Sequence, residues 1–212
     1  MDVVVPAIRR YVEAHCPPPD QLLADLAAET AATAPDMHVS HYEGELLTAL
    51  TRMIGARRVV GVGVFTGYST VCVMRGMPPD GRMLACEIDR RWTDIAEKYW
   101  ARAGIADRID LRIAPALDTL RTLPADPVID LGYIGADKAN HRAYYEELLP
   151  RLRPGGWLLL GDALRGGHVV DETCRAPDVE AVRRLNDAIA RDGRVDAVLV
   201  PAGDGALLVR KR

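Results

Sequence analysis

Arg57-Arg58-Val59-Val60-Gly61-Val62-Gly63-Val64-Phe65-Thr66-Gly67-Tyr68-Ser69-Thr70 runs from a β-branched segment through spaced glycines into a helical pattern. Glycine at such a turn lets a ligand approach the backbone, and the helix start beyond it presents unpaired N–H groups. Glu87 closes the next apolar run about 20 residues on, the offset expected of a carboxylate that holds ribose hydroxyls. The stretch therefore reads as strand, turn and helix, with an adenosine-type ligand over the first strand.

Outward from this turn, short apolar runs alternate with helical patterns. Strands are predicted at Arg57–Val64, Arg82–Glu87, Ile109–Ile113, Val128–Ile134 and Trp157–Leu160. Helices are predicted at Tyr68–Arg75, Trp92–Ala103, Ala116–Leu123, Ala139–Leu152 and Val179–Arg191. The alternation implies right-handed crossovers and a parallel sheet covered on both faces. The end differs: Arg194–Val200 and Ala206–Arg210 flank Pro201-Ala202-Gly203-Asp204-Gly205, a hairpin signature. Before Gly55, helices are predicted at Val4–His15, Pro19–Thr33 and Tyr42–Ile54, interrupted at Cys16-Pro17-Pro18-Pro19 and Ala34-Pro35-Asp36. The 212 residues fit one domain, a helical cap over residues 1–55 and an α/β core over residues 56–212.

A net charge of −3 with interspersed signs gives no electrostatic case for nucleic acid or a membrane surface. No apolar segment reaches the 18 residues or so of a bilayer span, and Met1–Pro6 lacks a basic leader. Cys16, Cys72, Cys86 and Cys174 are widely spaced without a CxxC, which points to reduced thiols and the cytoplasm. His38, His41, His141 and His168 show no metal-ligand spacing and read as surface or gap-lining residues. Arg210-Lys211-Arg212 reads as a solvated tail.

Several segments in order resemble the cation-dependent O-methyltransferases of the catechol and caffeoyl-CoA class. They are Met37-His38-Val39-Ser40, Phe65-Thr66-Gly67-Tyr68-Ser69-Thr70, Cys86-Glu87-Ile88-Asp89, Ala136-Asp137-Lys138, Arg153-Pro154-Gly155-Gly156 and the terminal hairpin. The resemblance implies a Rossmann-like class I methyltransferase fold: a seven-stranded, mostly parallel sheet with helices on both faces and extra amino-terminal helices. It also implies S-adenosylmethionine over the carboxyl ends of the first strands, a small-molecule acceptor and a homodimer. By position, Gly63, Phe65, Tyr68 and Ser69 would surround the methionine half of the cofactor. Glu87 would hold the ribose with Ile88 beside it, Ala116 would meet adenine, and Met37 and Val39 would close over cofactor and acceptor. Gly61 and Gly135 stand where the family helps hold the cofactor's ammonium. Lys138 matches the lysine that takes the acceptor's proton.

The sequence departs from this family at its metal site. Gly135 stands where the family has an Asp, and Gly161-Asp162 where it has Asp-Asn, so no divalent metal is expected. Gly61 replaces a glutamate, and losing two hydrogen bonds to a charged group would weaken cofactor binding by about 3–6 kcal/mol. The three glycines should also free volume beside the methyl-donor position. The function expected is metal-independent methylation of a phenolic or enolic hydroxyl, with Lys138 and Asp162 supplying acid–base chemistry. An unperturbed lysine is too protonated to be a good base at neutral pH, so an acidic acceptor is favoured. Arg165 at the pocket rim would suit an anionic group on it. Two alternatives remain open: a repurposed enzyme for cyclisation, elimination or rearrangement, and a non-catalytic partner subunit.

Overall fold

The computed structural model describes residues 4–34, 37 and 39–212. His38, Met1–Val3 and the break at Pro35-Asp36 lie outside the described residues. Three helices come first: α1 (Pro6–Ala14), α2 (Gln21–Thr33) and α3 (His41–Ile54). Asp20 caps α2 by accepting from the Leu23 N–H at 3.0 Å. Ser40 and Glu43 form a reciprocal capping box at α3, which ends at Gly55 in the left-handed region, φ 66°.

Alternation then follows: β1 (Arg58–Val62), α4 (Tyr68–Gly76), β2 (Arg82–Glu87), α5 (Arg90–Arg102), β3 (Ile109–Ile113), α6 (Ala116–Thr122), β4 (Ile129–Ile134), α7 (His141–Arg151) and β5 (Leu152–Leu160). The chain finishes with α8 (Pro177–Ala190), β6 (Val195–Val200) and β7 (Ala206–Lys211). The seven strands form one sheet in the order β3-β2-β1-β4-β5-β7-β6. Strands β1 to β5 pair in parallel, while β7 runs antiparallel to both β5 and β6. The strand order reverses at β1 and β4, the kind of crevice where open α/β sheets hold ligands.

The two faces of β1 explain why it reads as a nearly continuous apolar run. Val59 packs with Leu23, Leu26, Met74, Tyr99 and Trp100 on one side. Val60 and Val62 pack with Leu120, Tyr145, Leu148, Leu185 and Ile189 on the other. A strand buried on both faces has no polar side to show.

Most ends fall within one or two residues of expectation, and three differences have a visible structural cause. Strand β1 stops at Val62, because Gly63 turns to φ 87°. Strand β5 begins at Leu152 instead of Trp157, reaching β4 through a register shift between Ile129 and Leu131. Arg210 and Lys211 are not a free tail: they continue β7, and the Lys211 ammonium donates to the carbonyls of Pro150 and Leu152.

Candidate functional site

A cavity of about 1480 Å³ opens at the carboxyl ends of β1, β2, β4 and β5. Its floor is the glycine turn. The Gly63 N–H donates to Cys86 O at 3.0 Å, and the Gly135 N–H donates to Val62 O at 2.8 Å. A Cβ at Gly63 would lie 2.9 Å from the Gly135 carbonyl carbon and the Ala136 nitrogen. Only glycine allows the ends of β1 and β4 to come this close.

Glu87 fixes this turn from the end of β2. Its Oε2 accepts from the N–H groups of Val64 and Phe65 at 2.9 and 2.8 Å. Its Oε1 accepts from Ile88 and Asp89 at 2.7 and 3.2 Å. One carboxylate thus ties two loop tips together, which holds Phe65 at φ 52°. Beyond Glu87 lie Ile88, Trp92, Ala116 and Leu117, and the rings of Phe65 and Trp92 meet at 4.6 Å. Ile88 is 70% exposed, an apolar surface left open toward the cavity mouth.

The opposite wall carries the charged groups. Asp137 caps the short turn before α7, accepting from Asn140 and from the Tyr144 hydroxyl at 2.7 Å. The turn directs Lys138 inward, where its ammonium lies 2.7 Å from Asp162 Oδ2 and 3.1 Å from Ala136 O. His141 is buried behind it. Burial, then the neighbouring ammonium, push its imidazole down to about 4. The neutral ring donates from Nε2 to Ala136 O at 3.0 Å.

Above them, the phenol of Tyr133 lies against Ser69. Burial, then the Asp162 carboxylate, raise it above the ordinary tyrosine range. Two further carboxyls, Glu43 from α3 and Asp204 from the hairpin, face this end, and burial pushes both upward. The Tyr68 hydroxyl lies 2.9 Å from His41 Nδ1, and His41 Nε2 donates to Pro17 O at 2.7 Å.

Among the described residues, the non-glycine positions with positive φ are Phe65, Asp162 and Arg165, and all three line this cavity. Such backbone conformations cost about 1–3 kcal/mol and cluster at functional sites.

Of the positions selected from sequence, Met37, Val39, Gly63, Phe65, Tyr68 and Ser69 line the cavity. So do Glu87, Ile88, Ala116, Gly135, Lys138 and Asp162. Gly61 does not. It lies inside β1, paired with Ala85 and Tyr133, and a side chain there would strike the Met83 methyl.

Two other expectations are corrected. The volume expected to be free is filled beside Gly61 by Met83 and beside Gly135 by Tyr133, while at Gly161 a Cβ would meet only ordinary contacts. The Tyr133 hydroxyl is 3.1 Å from where a Gly135 Cβ would be and 3.7 Å from that of Gly161. Arg165 is already paired, its guanidinium donating to Asp178 at 3.0 and 2.5 Å.

Sequence reasoning missed Tyr133, Glu43, Asp204 and the burial of His141. Tyr133 was within reach, since it precedes Gly135 by two residues at the end of β4, and alternation along a strand puts such positions on one side. Ser40-His41-Tyr42-Glu43 also carries a capping-box spacing that locates Glu43.

These residues do not fit the metal of the family resemblance. Among the described residues no group of three or more His, Cys, Asp or Glu side chains is placed to hold an ion. Asp137 is engaged in its cap, Asp162 pairs with an ammonium, and the Tyr133 hydroxyl lies 3.1 Å from where a Gly135 Cβ would be.

Residues 14–212 match the family model described as O-methyltransferase. The chain is 40% identical over 172 residues to the mouse "Catechol O-methyltransferase domain-containing protein 1", covering 80% of this chain and 66% of that protein. It is 37% identical over 179 residues to the catechol O-methyltransferase of Mycobacterium tuberculosis, covering 84% and 80%. The chain thus spans just under two thirds of the mouse relative and four fifths of the mycobacterial one. Among solved structures, the O-methyltransferase from Bacillus cereus in complex with SAH superposes with a TM-score of 0.87 at 32% identity, covering 97% of both chains.

Proposed function

The chain belongs to the O-methyltransferase family, and on that premise we propose that it methylates a hydroxyl of a small, acidic phenol or enol from S-adenosylmethionine without a divalent metal. The observation that carries this reading is one cavity with two unlike walls. Glu87 and the Gly63 turn form one side, and the Lys138–Asp162 pair lies across from them. The Bacillus cereus relative with SAH bound supports the nucleoside assignment.

When bound, S-adenosylmethionine supplies a methyl group on a sulfonium, which the acceptor oxygen takes while the sulfur keeps the bonding pair. Glu87 would meet the ribose hydroxyls, Ile88, Ala116 and Leu117 would flank the adenine, and Tyr68 and Ser69 would border the methionine half. Methyl transfer in line depends mainly on positioning, which rigid strand ends provide. Glu43, Asp162 and Asp204 give the cavity a negative bias suited to a sulfonium.

The reading takes the chain as one unit that pairs as a homodimer. Val5 at the cap of α1 and Ile8 and Tyr11 on it are exposed, and α1 buries no residue, which supports pairing through that helix. Light scattering that gives a monomer mass at micromolar concentration would refute the pairing.

Calorimetry with SAH and labelled methyl transfer to phenols of graded acidity, each with magnesium or with EDTA, test the function. Transfer that persists in EDTA is expected. Absence of SAH binding together with absence of transfer to every acceptor would refute it.

A further inference from the structure

We propose that Lys138 serves in this site as a fixed cation for the acceptor oxygen, in the charge role a dication would have, and that Asp162 receives the acceptor's proton. The inference rests on the methyl-transfer reading above and assigns the roles within it.

An ammonium has three N–H donors and no acceptor. Those of Lys138 have Asp162 Oδ2 at 2.7 Å, Ala136 O at 3.1 Å and Gly161 O at 3.5 Å. His141 Nε2 lies 3.4 Å away but already donates to Ala136 O, so it offers the lysine no lone pair. A base must aim a lone pair at its substrate. A neutral amine here would free a lone pair only by giving up one of these donors and the charge that pairs with Asp162 at 2.7 Å.

Exposure separates the two partners further. The Lys138 side chain is 7% exposed and that of Asp162 is 43%, so the carboxylate is the member that opens to the cavity. Asp162 is held there by a left-handed backbone, φ 55°, and by the preceding Gly161 N–H bonded to Ile134 O at 3.0 Å. The long contact to Gly161 O is the one an acceptor oxygen would replace. Arg165 does not compete as a cation, since Asp178 engages its guanidinium.

The proton balance is closed. The acceptor O–H bond breaks, its proton passes to Asp162, and the electron pair stays on the acceptor oxygen beside the ammonium. Lys138 carries the same protons before and after, and Asp162 returns its proton to water.

The test uses full-length protein with Lys138→Arg, Lys138→Met and Asp162→Asn. SAH calorimetry reads pocket integrity, and the absorbance of bound 4-nitrophenol reads how far a phenol ionises in the site without cofactor. Methyl transfer is measured with 4-nitrophenol and with unsubstituted phenol. Arginine keeps the charge but cannot act as a base, so Lys138→Arg should bind nitrophenolate and retain transfer within about tenfold. Lys138→Met should lose the nitrophenolate band and about 100- to 1000-fold in rate, as for an electrostatic group at a developing charge. Asp162→Asn should lose transfer to phenol but keep transfer to the already ionised nitrophenol within about tenfold.

Lys138→Arg as inactive as Lys138→Met, with SAH binding intact in both and both acceptors lost equally in Asp162→Asn, would overturn the assignment. So would a wild-type site that leaves bound nitrophenol protonated. Failure of wild-type SAH binding would instead sink the methyl-transfer reading, since the nitrophenol band reports on the cation alone.

Discussion

Replacing Glu87 with Gln tests the cradle most directly. The carboxylate accepts from four backbone N–H groups, two on each oxygen, at 2.7–3.2 Å. An amide keeps one oxygen and turns a second donor pair toward N–H groups that are themselves donors. Two charge-assisted bonds, each worth about 1.5–3 kcal/mol, are lost, and the surviving two fall to neutral strength. Glu87 is only partly buried, so water re-pairs some of these groups, and the net cost should be about 2–4 kcal/mol. For a chain of this size that lowers Tm by about 4–16 °C. Losing the charged ribose acceptor should also weaken SAH binding by about 10- to 150-fold. Differential scanning calorimetry and isothermal titration would read the two effects. A Tm within about 1 °C of wild type with SAH affinity unchanged would show that Glu87 neither ties the turn nor touches the ligand.

Gly63→Ala places a Cβ 2.9 Å from backbone atoms of β4 at φ 87°, so a loss of about 2–5 kcal/mol is expected in urea unfolding, with cofactor affinity reduced in parallel. Ser40→Ala removes the cap that bonds the Glu43 N–H at 3.3 Å and should cost about 0.5–2 kcal/mol, read by the same unfolding. His141 is held neutral in the fold, at about 4 against an ordinary 6.5, so the unfolded chain takes up its proton first on acidification. Stability should therefore fall as pH drops from about 6.5 to 4, by at most about 3 kcal/mol from this group. Glu43 and Asp204, raised by burial, act in the opposite sense. The His141→Gln difference curve isolates the imidazole, and an unchanged pH slope in that variant would refute its assignment.

Much of the fold was legible because it depends on local pattern. Strand and helix periods, the Pro and Gly breaks and the terminal hairpin residues act over a few neighbours, and the seven strands appear where those patterns predict them. The glycine turn and Glu87 were legible for the same reason: close backbone approach needs glycine, and the acid lies at a fixed chain offset from it. Misplaced ends, such as the start of β5, came from a register shift that only pairing with β4 imposes.

Partner choice is another matter, because it is set by contacts between residues distant in the chain. Spacing alone does not reveal that Met83 fills the space beside Gly61, or that the Tyr133 ring lies beside Gly135 just past the end of β4. Nor does it show that Asp178 captures Arg165, or that Lys138 meets Asp162 across 24 residues of chain. The sequence by itself determined which chain this is, through the order of its elements and the glycines that replace carboxylates. The tertiary structure alone decided which side chain holds a charge and which is exposed to give or take a proton, since both depend on what burial and three-dimensional neighbours leave unpaired.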